Sequence, residues 1–357
     1  MDFSRRLLAW YARNKRDLPW RGVSDPYAVW ISEVMLQQTT VNAVKPYYEK
    51  WMGLFPDIRA LAAASLPKVL KAWQGLGYYQ RARHLREAAR ILVAERGGCL
   101  PDDPAALRAL PGFGPYTAAA VSSIAFGRPE PLIEANVRRV LMRVFGIEGR
   151  AEASRDKALL KHLAAFYPAR RPGDFNQALM ELGALVCRPK TPLCLLCPVR
   201  TGCAAFASGR QEVIPAPKAR TYRRIEAVVG VIERDGRVLI QRRPADGLLG
   251  GLWEFPGGKV RLGESRRAAL GRELHEELGV GTVQVRPLMT VDHSYTQFRV
   301  TLYAFDCALK GEPEADPRRR RWVRLARLRR YPFPSGSAKI VERILERQGM
   351  SLCGGAF

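Results

Sequence analysis

Residues 110–143 read LPGFGPYTAAAVSSIAFGRPEPLIEANVRRVLMR, and this stretch decides how the rest of the chain is organised. In Leu110-Pro111-Gly112-Phe113-Gly114, two glycines and a proline interrupt helix-forming sequence. Gly112 and Gly114 can both take the positive φ of a tight hairpin, and both let another backbone come close. An apolar helix begins around Tyr116-Thr117-Ala118, so its first N–H groups, unpaired within the helix, face out of the hairpin. Amides placed in this way suit a phosphate. Further on, Pro131-Leu132-Ile133 delivers one carboxylate, Glu134, to the head of Asn136-Val137-Arg138. A phosphate cradle near an acid points to chemistry on a nucleic-acid backbone or base. The plainer alternative is a Gly-Pro turn between two packed helices.

The composition favours the first reading. The chain has 357 residues, enough for two domains with separate cores, and a formal net charge of +24. So strong a basic bias selects a polyanionic partner. No apolar run is long enough for a spanning helix, and the N-terminal MDFSRRLLAWYARNKRDLPW lacks the apolar stretch of a signal peptide. We therefore expect no membrane association and a monomer in the cytoplasm of a bacterium, on the nucleoid when DNA is bound.

Upstream of the hairpin, Asp25-Pro26 reads as an N-cap followed by proline at the first helical position, opening a helix over 27–40. Tyr27, Trp30, Ile31 and Val34 form one apolar face of it. Glu33 lies elsewhere on the helix, yet Val29 and Leu36, a turn away, are apolar too. A carboxyl held among apolar groups is harder to ionise, which suits a general acid near neutral pH. A single helix glutamate is, however, more often partly exposed. Next, Gly75-Leu76-Gly77-Tyr78-Tyr79-Gln80-Arg81-Ala82-Arg83 sets apolar and aromatic tips on a glycine-flexed loop backed by cations. Such a loop can wedge into a base stack while gripping phosphates, or simply complete a core.

Downstream, residues 175–183 read as a helix carrying a second acid, Glu181. It leads into Cys187, Cys194, Cys197 and Cys203, at intervals of six, two and five residues. Four thiolates in one compact loop can close around tetrahedral zinc or a cubane cluster. Only Cys194 and Cys197 have the C-x-x-C spacing that zinc sites use in pairs, so a 4Fe–4S cluster is the better match. The clustering also argues against a disulfide framework and for a reducing compartment.

Taken together, Leu18-Pro19-Trp20-Arg21, residues 30–39 (WISEVMLQQT), Gly75-Leu76-Gly77-Tyr78-Tyr79, residues 110–114, Asn176-Gln177-Ala178-Leu179-Met180-Glu181 and the cysteine loop resemble the helix-hairpin-helix DNA glycosylases with an iron–sulfur cluster. Within that superfamily they are similar to the MutY-type adenine DNA glycosylases. The resemblance covers residues 1–209. It implies removal of adenine mispaired with 8-oxoguanine or guanine in double-stranded DNA, the base being extruded because its glycosidic bond is out of reach inside a duplex. It places Glu33 as the acid that protonates adenine and later activates water. Trp20, Arg21, Leu36, Val41 and Glu181 would line the base pocket, and Gln38, Leu76 and Tyr78 would fill the stack. Gly112 and Gly114 would hold a DNA phosphate. The family's second carboxylate is the aspartate of Asp-Gly-Asn-Val, where this chain has Glu134-Ala135-Asn136-Val137, so Glu134 with Asn136 would stabilise an oxocarbenium-like sugar. Strand-cutting relatives carry a Schiff-base lysine just after the hairpin. Tyr116 stands there, which implies a monofunctional glycosylase.

Residues 210–223, with Pro215 and Pro217, read as a semi-rigid linker. Beyond it, residues 227–232 and 238–241 read as a hairpin around Asp235-Gly236. Residues 258–280, GKVRLGESRRAALGRELHEELGV, put Glu273, Glu276 and Glu277 on one face of a helix. Like charges so close are destabilising unless a divalent cation such as Mg²⁺ neutralises them. The pattern Gly-x5-Glu-x7-Arg-Glu-Leu-x-Glu-Glu-x-Gly-Val gives residues 224–350 a resemblance to a MutT-like Nudix domain. Asp316 is the nearest further metal acid by spacing, although Arg318–Arg321 are odd neighbours for a metal. Tyr295-Thr296-Gln297 would read 8-oxoguanine where MutY relatives often have Phe-Ser-His.

The fold implied is α plus α/β in two domains, an all-α helix-hairpin-helix glycosylase with a 4Fe–4S loop followed by an α/β Nudix-like domain. Two other functions stay open. One is a Nudix pyrophosphohydrolase acting on a nucleoside triphosphate such as 8-oxo-dGTP, alone or beside the glycosylase activity. The other is a lesion-binding protein disabled by glutamate at position 134.

Overall fold

The computed structural model describes residues 2–217, 222–244, 249–295 and 298–349. By compactness the chain divides into two units, Met1–Ala64 with His84–Ala219, and Ser65–Arg83 with Arg220–Phe357. The excursion Ser65–Arg83 thus groups with the C-terminal residues, where a continuous reading of the sequence puts it in the N-terminal domain. The reason is local bonding: Tyr79 donates its hydroxyl to the Phe333 carbonyl at 3.2 Å, and the Phe333 amide donates to Gln74 Oε1 at 3.4 Å.

The first unit is helical. Its core joins Leu7, Trp10 and Tyr11 of the opening helix (Asp2–Asn14) to Val137, Val140 and Leu141 of the helix Ala135–Phe145 and to Phe175, Ala178, Leu179 and Leu182 of the helix Pro172–Leu185. The last two helices approach closely at Gly183, where a Cβ would lie 2.6 Å from that of Asn136. Among the described residues no helix is long and apolar enough to cross a membrane.

The expected helix over 27–40 ends early, at Leu36, and residues 37–40 form a turn. Pro26–Leu36 is capped by Asp25, whose carboxylate accepts from the Tyr27 and Ala28 amides. It stops because Gln38 takes a left-handed φ of 58°, and Val41–Leu54 starts afresh from Thr40. The expected linker also begins later than residue 210. Ile214 is buried in the helical core, its carbonyl accepts from Arg143 Nε at 2.7 Å, and the Ala216 amide donates to the Gly149 carbonyl.

The second unit is built on a seven-stranded mixed sheet. Its strands are β1 (Arg223–Arg234), β2 (Arg237–Arg242), β3 (Trp253–Glu254), β4 (Gly257–Lys259), β5 (Gly281–Tyr295), β6 (Phe298–Lys310) and β7 (Arg320–Arg324). The order is β3-β2-β1-β6-β5, with β4 also on β1 and β7 on β2, and only β1–β6 pair in parallel. Asp235 and Gly236 both have positive φ, the two-residue turn expected between β1 and β2. Alternation along β1 feeds two cores. Val229 and Val231 pack with Ile340, Val341 and Ile344 of the helix Ser335–Arg347, while Val228 and Ile232 pack with Leu270, Leu274 and Leu278 of the helix Arg266–Leu278.

Candidate active site

The hairpin positions the site. The short helix Pro104–Arg108 and the helix Pro115–Ala125 flank a turn in which Gly112 has φ of +80°, and a Cβ there would meet His84 at 2.7 Å. Gly114 does not share that conformation. It is the extended N-cap of the second helix, at φ −79°, with open space around its α-carbon. Phe113, between them, stacks on Trp30 with ring centroids 5.1 Å apart, and Gln37 Nε2 donates to Thr117 Oγ1 at 3.0 Å. These contacts tie the hairpin to the helix Pro26–Leu36 and bring Tyr116 to Glu33.

Glu33 is only 5% exposed, which settles the question that its helical position left open. The Tyr116 hydroxyl donates to its Oε2, and that hydroxyl also lies 3.5 Å from Met180 Sδ. Burial raises the Glu33 pKa above the ordinary 4.5, and the charge of Glu134 adds to the rise. The Tyr116 hydrogen bond and the charge of Arg21 offset only part of it. Tyr116 itself is pushed well above the usual tyrosine value by burial and by Glu33. The pair therefore holds a proton readily, and Tyr116 stays neutral.

Both groups open on a cavity of about 710 Å³. Of the residues assigned from the sequence, Trp20, Arg21, Leu36, Gln38, Val41, Glu134, Asn136 and Glu181 line it too. Glu134 caps the helix Ala135–Phe145: its Oε1 accepts from the Val137 amide at 2.9 Å and its Oε2 from Asn136 Nδ2 at 3.3 Å. Asn136 is in turn oriented by Arg139, whose Nη2 donates to Asn136 Oδ1 at 2.7 Å. Glutamate at 134 thus has a defined seat, with one oxygen spent on the helix terminus.

Glu181 sits in the opposite environment. Its side chain is 1% exposed, and it takes a two-pronged grip from Arg16 at 2.7 and 2.9 Å and a further bond from Arg21 at 3.1 Å. Burial alone would raise its pKa, but the bonds from the Arg16 side chain and amide, with the charge of Arg21, hold it below 4.5. One wall of the cavity therefore carries a fixed anion and another a protonatable acid. Arg16, Gln37, Asn42 and Met180 line the cavity without having been singled out from the sequence. Arg16 is separated from Glu181 by 165 positions, and no local pattern announces that pairing.

Cys187, Cys194, Cys197 and Cys203 line one small cavity with Arg143. Arg143 is fully buried and binds the carbonyls of Arg188 at 2.6 Å and Pro189 at 2.9 Å, as well as Cys187 Sγ at 3.3 Å. Arg139 donates to the Cys187 carbonyl at 2.9 Å. Two buried arginines thus hold the cysteine loop by its backbone, and a cation sits beside the sulfurs. Among the described residues no three His, Cys, Asp or Glu side chains close on a single ion. Four thiols around one pocket are a donor set that suits a metal centre.

In the second unit the box carboxylates all meet protein donors. Arg272 donates to Glu273 at 2.8 Å, to Glu276 at 3.2 Å and to Glu264 at 2.8 Å, and Arg261 adds a bond to Glu276 at 3.2 Å. Glu277 Oε2 accepts from Gln241 Nε2 and the Gly257 amide, both at 2.8 Å. Arginines and hydrogen-bond donors thus face all three carboxylates. Asp316 is equally engaged, accepting from the Arg318 and Arg319 amides at 3.2 and 3.0 Å. Leu76 is 6% exposed and Tyr78 has φ of 48°; both belong to this unit and neither lines the large cavity. Thr296 and Gln297 lie outside the described residues, and of Tyr295 only the backbone, ending β5, is described.

Family models agree with this division. Residues 31–165 match the HhH-GPD superfamily base excision DNA repair protein, and residues 227–343 match the NUDIX domain. The adenine DNA glycosylase of Rattus norvegicus is 36% identical over 412 aligned positions, covering 99% of this chain and 80% of that protein. The chain belongs to the adenine DNA glycosylase family. The Homo sapiens adenine DNA glycosylase is likewise 36% identical over 99% of this chain and 76% of its own length. Among solved structures, a thermostable thymine-DNA glycosylase superposes with a TM-score of 0.52 at 32% identity, over 58% of this chain and 95% of its own. The α plus α/β organisation expected from the sequence is therefore established, helix-hairpin-helix first and Nudix-like second.

Proposed function

We propose that this adenine glycosylase family member hydrolyses the N-glycosidic bond of adenine opposite 8-oxoguanine or guanine in duplex DNA, leaving the strand intact. The observation that carries this reading is the buried Glu33 carboxyl, without an ion pair among the described residues, held by a tyrosine hydroxyl on a cavity with room for an extruded base. Glu33 delivers its proton to the extruded adenine as the C1′–N bond breaks, and the bonding pair leaves with the base. The positive charge developing on the sugar is met by the Glu134 carboxylate, fixed by Val137 and Asn136. Glu33, now a carboxylate, accepts a proton from the water that attacks C1′, which returns the acid to its starting state. No lysine is among the residues lining the cavity, so it offers no amine for a Schiff base.

The four cysteines are proposed to hold a 4Fe–4S cluster, which would cross-link the loop that Arg139 and Arg143 grip from beneath. Iron at about four per chain with a visible charge-transfer band supports this, and stoichiometric zinc without iron contradicts it. Tyr295, Thr296 and Gln297 are proposed to read 8-oxoguanine.

The function is tested by incubating an A·8-oxoguanine duplex with the full chain. Free adenine with a strand that breaks only after alkali is expected. No adenine from a duplex that is bound, or strand scission without alkali, refutes the reading.

A further inference from the structure

The turn between β6 and β7 has no part in the chemistry above, yet it opens a run of four consecutive arginines, Arg318–Arg321. Arg318 and Arg319, with Arg83, Arg242 and Arg243, line a cavity of about 410 Å³ completed by Leu66, Pro244 and Gly251. All eight residues fall in the same compact unit. Arg243 is ion-paired with Glu254. Arg83 donates to the Gly250 carbonyl and Arg242 Nε to the Gly251 carbonyl at 3.3 Å, neither of which brings a counter-charge. Among the described residues Arg83, Arg242, Arg318 and Arg319 make no ion pair with a carboxylate.

The repulsion is felt at Arg83, whose pKa is lowered first by burial and then by the charge of Arg242. Asp316 does not relieve it at the rim. Its Oδ1 is spent on the Arg318 and Arg319 amides, so it holds the turn that presents those side chains rather than pairing with them. The charge of Arg319 is felt by Glu254 and Glu277, yet among the described residues only one of the five guanidinium groups, that of Arg243, is ion-paired, which leaves the cavity with an excess of positive charge. Guanidinium forks match phosphate oxygens in pairs, and a cavity of this size has room for more than one phosphate.

We propose that this arginine cavity is a phosphate-binding site that takes backbone phosphodiesters of the DNA substrate. The choice of DNA rests on the function proposed above, whereas the phosphate chemistry rests on the arginines alone. A free nucleoside triphosphate presents the same chemistry, so the experiment separates the two sources.

The full-chain double variants Arg318→Gln/Arg319→Gln and Arg318→Lys/Arg319→Lys test it. Both side chains are exposed and form no hydrogen bond among the described residues, so either exchange leaves the packing intact. Binding to an A·8-oxoguanine duplex is measured across a range of KCl. Single-turnover adenine release is measured at saturating protein, and thermal stabilisation by inorganic tripolyphosphate is recorded. Each guanidinium–phosphate pair removed should reduce the slope of log K against log salt by about 0.9, so the glutamine pair should lower it by about one to two. The lysine pair should keep most of the slope, and adenine release at saturation should be unchanged in both.

A wild-type slope in the glutamine pair overturns DNA as the ligand. If that pair also loses stabilisation by tripolyphosphate, the cavity serves a free polyphosphate; if it does not, no phosphate site exists. Absence of adenine release from the wild type would refute the glycosylase reading, while the slopes would still judge the cavity.

Discussion

The two units each gather acidic side chains on helices, and they treat them in opposite ways. In the helical unit Glu33 is buried on a cavity with a hydroxyl for company and no paired cation among the described residues. In the Nudix-like unit, Glu264, Glu273 and Glu276 surround Arg272, whose pKa rises as a result, and Glu277 is tied to Gln241 and Gly257. Burial pushes the Glu277 pKa up as it does that of Glu33. What differs is that the engaged oxygen of Glu277 is held by an amide and a side-chain amide that anchor the box helix to β2 and β4. An acid works on a substrate only if its proton faces open space, and Glu33 meets that condition.

The comparison breaks first at Glu33. Glu33→Gln should lower single-turnover adenine release by about 10²–10⁴-fold, the range for a positioned general acid, with duplex binding retained. A variant within a few-fold of wild type would remove Glu33 from the mechanism. Next in size is Glu181, the paired carboxylate of the same cavity. Glu181→Gln strands Arg16 and Arg21 and should cost about 3 kcal/mol in denaturant unfolding, near the low end for a buried pair because Arg16 is a third exposed. The Glu181 pKa is depressed on folding, so its contribution is present above 4.5 and is lost as pH falls through the folded value. The stability gap between wild type and Glu181→Gln should therefore close on acidification, and a gap that widens would contradict the assignment.

Tyr116→Phe removes the one hydrogen bond that stabilises the Glu33 carboxylate directly, a change of about 1 kcal/mol. The Glu33 pKa should rise further, so the alkaline limb of the pH–rate profile should move to higher pH. A limb that moves down would place the tyrosine elsewhere in the mechanism. The smallest effect is predicted for the box. Mg²⁺ should leave the melting temperature of the full chain within about 1 °C, since the carboxylates already have partners; tight binding of an ion to the native state alone would raise it by several degrees.

Much of this was legible in the sequence because it is local. The hairpin glycines, the Asp25-Pro26 helix start, the Asp235-Gly236 turn and the box spacing are written in adjacent residues, and all but the conformation of Gly114 stand. The rest depends on long-range partners. Burial of Glu33 requires the hairpin to pack through Phe113 on Trp30, and Glu181 acquires its charge state from Arg16. The end of the Pro26–Leu36 helix was hidden because Gln38, neither glycine nor proline, takes the left-handed conformation. Likewise, nothing in the box sequence says that Arg272 will reach Glu264, Glu273 and Glu276 together.

Glu33 stays protonated beyond the range of an ordinary glutamate because it is buried, with no ion-paired cation among the described residues. The direct measurement is the infrared difference spectrum between wild type and Glu33→Gln, following the carboxyl C=O band as pH is raised. The account predicts a band that persists above the ordinary value of 4.5 and disappears at a midpoint higher than that. A midpoint at or below 4.5, or no difference band, would contradict it.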